Sequence, residues 1–397
     1  MGILKKLFIL FLIMFSLGEL TRIQLASSVA ITFTDISIFV LVSSWFIWKL
    51  KTKRFKKPML FIPIIGFFTI SLVSLLVNFF RLTPNEFFVS LLYPLRWLLY
   101  SGIYFVVADF DKEFKERVKY YLLIPIVILA AGGFIQYFLY PSLRNLYYLG
   151  WDEHLFRLFS SFLDPNFAGV VFAVGFILLL GIGFDLFKKR LNPRFLLIAI
   201  LTLFDLAAVY LTYSRSALLA LLAGVGVFLY FKLPKKVVFL ALVLLVSVIF
   251  ILPYSFKGEG TNFLRIASTG SRIESIDIAL KVFSNNPVIG VGFNAYRYYQ
   301  KSNGYLTGKN WELTHSGAGT DNSFLFVLVT EGVIGFFFFI FLLYKMFLLG
   351  KPFNNNSKIV FLSSLVAIIV SSLFINSLFY IFLMAWIWVL AGITDYT

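Results

Sequence analysis

Long apolar runs broken by short charged clusters dominate the chain. Runs of ~17–25 residues are what a bilayer-spanning helix needs. They fall near 7–26, 29–48, 58–79, 85–108, 120–140, 165–187, 195–213, 216–231, 237–254, 322–344, 358–374 and 377–393. The pattern predicts about 12 spans, and the final pair also reads as one re-entrant unit. The longest interruption, 255–321, lies between the ninth and tenth runs. Loops longer than ~15 residues are usually functional or disordered, and this one carries arginines, aromatics and turn residues without low complexity. It is expected to be ordered and to cap a site on the non-cytoplasmic side. The expected fold is an all-α polytopic membrane protein, a single integral domain over 1–397. Met1 to Leu20 has a basic start and an apolar run, but no small-x-small cleavage pattern, so it reads as a first span.

Composition agrees. The chain is 60% hydrophobic and 14% charged, where a soluble domain carries about 25% charged residues. Cysteine is absent and His154 and His315 are the two histidines. Disulfides, a thiolate metal site and a cysteine nucleophile are excluded, and a histidine-based metal site is not expected. The net charge of +16 does not indicate nucleic acid, because the lysines sit in short loops at 49–57, 112–119, 188–194, 232–236 and 345–358. These alternate with the apolar runs as the positive-inside rule requires. Both termini are then expected inside, with 141–164, 213–216 and 255–321 outside.

The outer loops favour arginine: Arg22, Arg81, Arg144, Arg157, Arg215, Arg265, Arg272 and Arg297, with Arg96 inside the fourth span. Arginine suits bidentate recognition of phosphate and stays charged when desolvated. Arginines gathered against the positive-inside trend point to an anionic ligand at the outer boundary, such as a lipid-linked phosphate or pyrophosphate. Arg215, between two apolar runs, reads either as an interfacial snorkelling residue or as a pyrophosphate clamp. Asp164-Pro165-Asn166 opens the sixth span as a turn and cap, and Arg157 approaches the same face. Arg272 opens a helically spaced stretch, where the bland reading is a solvated face. Asp321, where the long loop meets the tenth span, is the first candidate for general base; its other reading is a helix N-cap. His315 and Glu312 are rival bases. Asp205 and Asn376 read as structural hydrogen-bonding groups inside the membrane. Gly290 and Gly292 lack the strand and lysine of a nucleotide loop.

Four stretches resemble the O-antigen ligase and polymerase superfamily of bacterial inner-membrane glycosyltransferases. They are Arg157 to Gly169, Thr212-Tyr213-Ser214-Arg215-Ser216, Arg272 with Asn286-Pro287-Val288-Ile289-Gly290-Val291-Gly292, and Asp321-Asn322 followed by Gly332 and Gly335. The resemblance covers about 150–345. It implies a GT-C-like fold of about 12 helices that moves a glycan from undecaprenyl pyrophosphate to an acceptor hydroxyl on the outer face, without metal or other cofactor. It assigns Arg157, Arg215 and Arg272 to a pyrophosphate clamp, with Arg265 and Asn322 as further substrate contacts and Asp321 or His315 as base. In ligases the closing motif commonly begins with histidine. Asp321 stands there instead, which favours a polymerase of surface polysaccharide repeat units over a ligase that uses lipid A core as acceptor. A polysaccharide exporter and a protein that only binds anionic lipid are the non-enzymatic alternatives.

Overall fold

The computed structural model describes residues 1–26, 29–53, 57–187, 193–251, 261, 267–306, 311, 319–351 and 355–395. The helices in order are α1 (Gly2–Leu17), α2 (Phe33–Thr52), α3 (Phe61–Val77), α4 (Pro84–Ala108), α5 (Lys112–Tyr121), α6 (Leu123–Leu139), α7 (Pro165–Phe187) and α8 (Pro193–Leu211). They continue with α9 (Arg215–Lys232), α10 (Lys235–Ile251), α11 (Ala267–Asn285), α12 (Tyr296–Ser302), α13 (Ser323–Leu349), α14 (Asn356–Ser372) and α15 (Ile381–Thr394). Among the described residues, seven candidate spans are long and apolar enough to cross a membrane: α2, α4, α5 with α6, α7, α8, α9 and α13. The shorter α3, α14 and α15 are also apolar. The chain is a mostly helical, multi-pass membrane protein.

Two regions depart from the expected plan. The first apolar run does not continue to residue 26. After α1 the chain turns at Gly18, passes through a 3-10 turn and forms a hairpin of β1 (Ile23–Ala26) and β2 (Val29–Ile31). Ile23 pairs with Ile31 in antiparallel register. The fold is therefore not purely α. Thr32 then caps α2 through a capping box with Asp35, which fixes where the helix resumes. The second departure is the charged segment after α4, which is itself helical. Asp111 caps α5, and Phe114, Lys115 and Val118 form its buried face.

Burial orders the bundle. All 14 residues of α15 are buried, and α7 is buried along most of its length. Trp386 of α15 and Tyr100 and Tyr104 of α4 are among the largest fully buried side chains. Helices α8 and α10 present leucines outward, as lipid-facing helices do. One end of the bundle is tied by basic residues. Lys49 Nζ meets Asp109 at 2.8 Å, the Trp45 indole donates to the same carboxylate, and Lys5 pairs with Asp111.

At the opposite end, α13 is broken. Gly332 has φ 65 and ψ −164 inside it. The segment 287–292 inserts at this break. Val333 and Ile334 donate backbone hydrogen bonds to Pro287 and Val288, while Val291 and Gly292 donate to Val329 and Thr330 at 3.0 and 2.9 Å. Helix α3 closes the junction. Ser74 Oγ lies 2.7 Å from the carbonyl oxygens of both Ile289 and Thr330, and Asn78 donates to Gly290. Backbone groups freed by the break thus find partners, as they must inside a membrane. The junction fastens α11 to α13, and so sets Arg272 relative to Asp321.

Candidate active site

A cavity of about 480 Å³ opens at this end. Its wall includes Arg157, Asp164 and Asn166, Arg272 from α11, Thr320 and Asp321 before α13, and Arg96 from α4. Aromatic and aliphatic groups, among them Trp97, Phe326 and Met384, line the rest. Segments far apart in sequence thus bring three arginines and three aspartates, Asp152 with Asp164 and Asp321, to one concavity.

Each polar group is held by local structure. Arg157 is buried, donating from Nε to the Thr212 carbonyl at 2.8 Å and from Nη2 to Asn166 Oδ1 at 3.1 Å. Leu158 N also donates to the Leu211 carbonyl. Two of the expected motifs, 157–169 and 212–216, are therefore laced together. Asp164 caps α7, accepting from Asn166 N at 2.7 Å, as the turn reading expects. Arg215 is the first residue of α9 behind the N-cap Ser214. It is not in the cavity wall, but its charge reaches Arg272. Arg157→Lys is expected to lower activity about tenfold or more, because a single ammonium cannot hold Thr212 and Asn166 in a planar fork. Turnover and thermal unfolding of the purified variant check this.

The structure separates the two readings of Asp321. The N-cap of α13 is Asn322, whose Oδ1 accepts from Phe324 N at 2.8 Å and Leu325 N at 3.0 Å. Asn322 also donates to the Leu373 carbonyl at 3.2 Å. Asp321 is left exposed in the cavity wall rather than engaged as the cap. Loss of hydration raises its carboxyl above the ordinary carboxylate range, Arg272 pulls it back down, and Asp164 pushes it up. Arg272 shows the reciprocal effect. Desolvation lowers its affinity for its proton, Asp321 raises it, Arg215 lowers it and Asp164 raises it. Arg215, Arg272, Asp321 and Asp164 thus form one electrostatic group.

Arg265, His315 and Glu312 lie outside the described residues. Of the two intramembrane groups expected to be hydrogen-bonded, Asn376 is, accepting from Ser323 at 2.8 Å. Asp205 is not: both carboxylate oxygens are buried without a partner among the described residues. The cavity also contains groups that the motifs did not single out. Asp152, His154 and Asn294 line it, with His154 Nε2 4.0 Å from Asp152. Membership of the outer loop 141–164, three residues before Arg157, was the available signal for His154.

A multi-pass helical membrane protein with a polar, arginine-lined cavity at one end is what the fold and site define. Residues 197–340 match the family described as O-antigen ligase. Over that segment the resemblance to the O-antigen ligase and polymerase superfamily is borne out. No curated protein matches the chain.

Proposed function

We propose that the protein is a metal-independent polymerase of lipid-linked surface polysaccharide repeat units. It would sit in a bacterial inner membrane as a chain of about 12 spans, with the basic end cytoplasmic and the cavity, capped by 255–321, on the outer face. The donor is an undecaprenyl-pyrophosphate-linked glycan. The acceptor hydroxyl oxygen attacks the anomeric carbon of the donor sugar. The bond from that carbon to the pyrophosphate oxygen breaks, and the pyrophosphate leaves with the electron pair. The hydroxyl proton passes to the Asp321 carboxylate. Arg272, Arg157 and Arg215 stabilise the leaving charge electrostatically, with Asn322 and Arg265 as further contacts. The observation that carries this reading is the presence of Asp321 and Arg272 in the wall of one cavity, in a chain whose residues 197–340 match the O-antigen ligase family. That match also supports the alternative, a ligase with lipid A core as acceptor.

The test is a reaction of purified protein with authentic undecaprenyl-pyrophosphate-linked repeat units, with and without lipid A core and with chelator present. A ladder of lengthened lipid-linked glycan without core is expected. Product only on core makes the protein a ligase, and no product with either acceptor favours the transport or lipid-binding alternatives. The acid limb of the pH–rate profile follows from the raised Asp321 carboxyl. A base must be deprotonated, so activity is lost as pH falls through a value above the ~3.9 of an unperturbed aspartate. Asp321→Asn removes the base, and the rate is expected to fall about 10²-fold or more with the limb abolished. An Asn variant with the wild-type limb assigns the base elsewhere, first to His154.

A further inference from the structure

Glu331 lies one residue before the break in α13 and takes no part in the proposed transfer. It is fully buried. Its Oε2 has no hydrogen-bond partner among the described residues. Its Oε1 meets Ser71 Oγ of α3 at 2.7 Å, and Ser71 is the one described side chain that acts on its charge. The elements packed against α13 bring it no counter-ion. Helices α3 and α15 and the segments 287–292 and 377–379 carry no titratable residue. On α11, Arg272 lines the polar cavity, Lys281 pairs with Asp277 and Glu274 is exposed. Lys358 of α14 donates to the Lys351 carbonyl, and Lys345 of α13 itself lies over the Phe341 ring. Tyr296 of α12 packs in an apolar cluster with Val329.

Proton counting selects the form of the carboxyl. Ser71 Oγ lies 2.9 Å from the Phe67 carbonyl as well as 2.7 Å from Glu331. A serine hydroxyl has one proton to give. With Glu331 ionised, that proton must serve the carboxylate, which is then buried with a single hydrogen bond and no cation, a costly state. With Glu331 neutral, its own O–H donates to Ser71, and Ser71 donates back to the Phe67 carbonyl as serines inside helices do. Every proton then has an acceptor, and the bare Oε2 carries no charge. Gly335 makes the room: a Cβ there would run into Cβ and Oε2 of Glu331. Ser74, nearly one turn beyond Ser71, meets the carbonyls of Ile289 and Thr330. One face of α3 thus holds both the side chain and the main chain of the break.

We propose that Glu331 is a positioning residue that works as a neutral carboxylic acid: the proton it donates to Ser71 holds α13 against α3 at the break, and so fixes the spacing of Asp321 and Arg272. The kinetic expectations rest on the glycosyl-transfer reading. The protonation state and the hold on α3 do not, and are read without turnover.

The test compares Glu331→Gln, Glu331→Ala and Ser71→Ala in the full-length protein in phospholipid nanodiscs. The infrared spectrum of wild type minus Glu331→Gln at neutral pH is expected to show the C=O band of a protonated carboxylic acid; a carboxylate band in its place overturns the proposal. An amide also donates to Ser71, so Glu331→Gln is expected to keep kcat within about twofold of wild type and the thermal midpoint near it. Glu331→Ala is expected to lose about tenfold in kcat with KM little changed, and to lower the midpoint. Its acid limb is expected to move up, because Arg272 no longer sits where it holds the Asp321 carboxyl down. Ser71→Ala, which removes only the acceptor, is expected to move limb and midpoint the same way, and carries the test if Glu331→Ala does not fold. A glutamine variant as impaired as the alanine one, with activity or midpoint dependent on sodium in wild type, makes the position a cation site and overturns the proposal. So does an acid limb that neither Glu331→Ala nor Ser71→Ala moves. The acid band and the order of midpoints in a protein that makes no glycan ladder overturn only the transferase reading, and a ladder without the band overturns only this one.

Discussion

Arg272→Ala is expected to lower the rate of glycan transfer by about 10²–10³-fold, the usual loss when one preorganised charge is removed from the place where transition-state charge develops. Arg272 and Asp321 both line the cavity and attract each other, while Arg215 acts on Arg272 as a like charge. Two effects combine in the variant. On the proposed mechanism the leaving pyrophosphate loses a cationic donor, which lowers kcat. Asp321 loses the cation that holds its carboxyl down, so the acid limb of the pH–rate profile moves further up. Arg272→Lys separates them: the charge is kept and the limb stays, while the loss of the planar fork still lowers kcat. The side chain is only partly buried on α11, so both variants should express and purify like the parent. An alanine variant within a few-fold of wild type at every pH would remove Arg272 from the clamp.

Gly332→Ala is expected to abolish recovery of folded protein. The position has a φ and ψ that only glycine adopts readily, which costs any other residue about 1–3 kcal/mol. An added Cβ would also run into the backbone of Val288 and Ile289. This overlap is with main chain held by hydrogen bonds, so it cannot relax by a rotamer change, and overpacking adds about 1–3 kcal/mol more. The sum is a large part of the 5–15 kcal/mol by which ordinary domains are stable. Gly290→Ala is expected to behave alike, since its φ is 71 and its Cβ would meet the backbone of Thr330 and Glu331. Gly270→Ala is the control, as nothing lies within 4 Å of its added Cβ. Monodisperse yield in detergent and the thermal midpoint read the result. A Gly332→Ala protein with parental yield and midpoint would mean that the junction is not tightly packed.

The membrane plan was legible because apolar run length is a one-dimensional signal. The sixth run was placed at 165–187, where α7 lies, and the fourth at 85–108 against Pro84–Ala108. The motif glycines carried a signal without a meaning. Their reason is the crossing of 287–292 with 329–334, and no local pattern states which distant segments touch. The Asp35–Arg96 ion pair escaped for the same reason: it depends on the register of α2 against α4. Asp321 and Asn322 differ by one position, and a capping preference shared by Asp and Asn cannot say which of them starts the helix. The hairpin at 23–31 was hidden inside apolar runs, because short apolar strands and helix segments share composition.

The break at Gly332 also divides one long helix into two mechanical bodies. The half before the break carries Asp321 at its head and is bonded sideways to 287–292, which joins it to α11 and Arg272. The half after the break continues to Leu349. The spacing of the aspartate and the arginine is held by main-chain hydrogen bonds at the junction. A change of membrane that reorients the half after the break is therefore expected to leave the spacing of Asp321 and Arg272 unchanged.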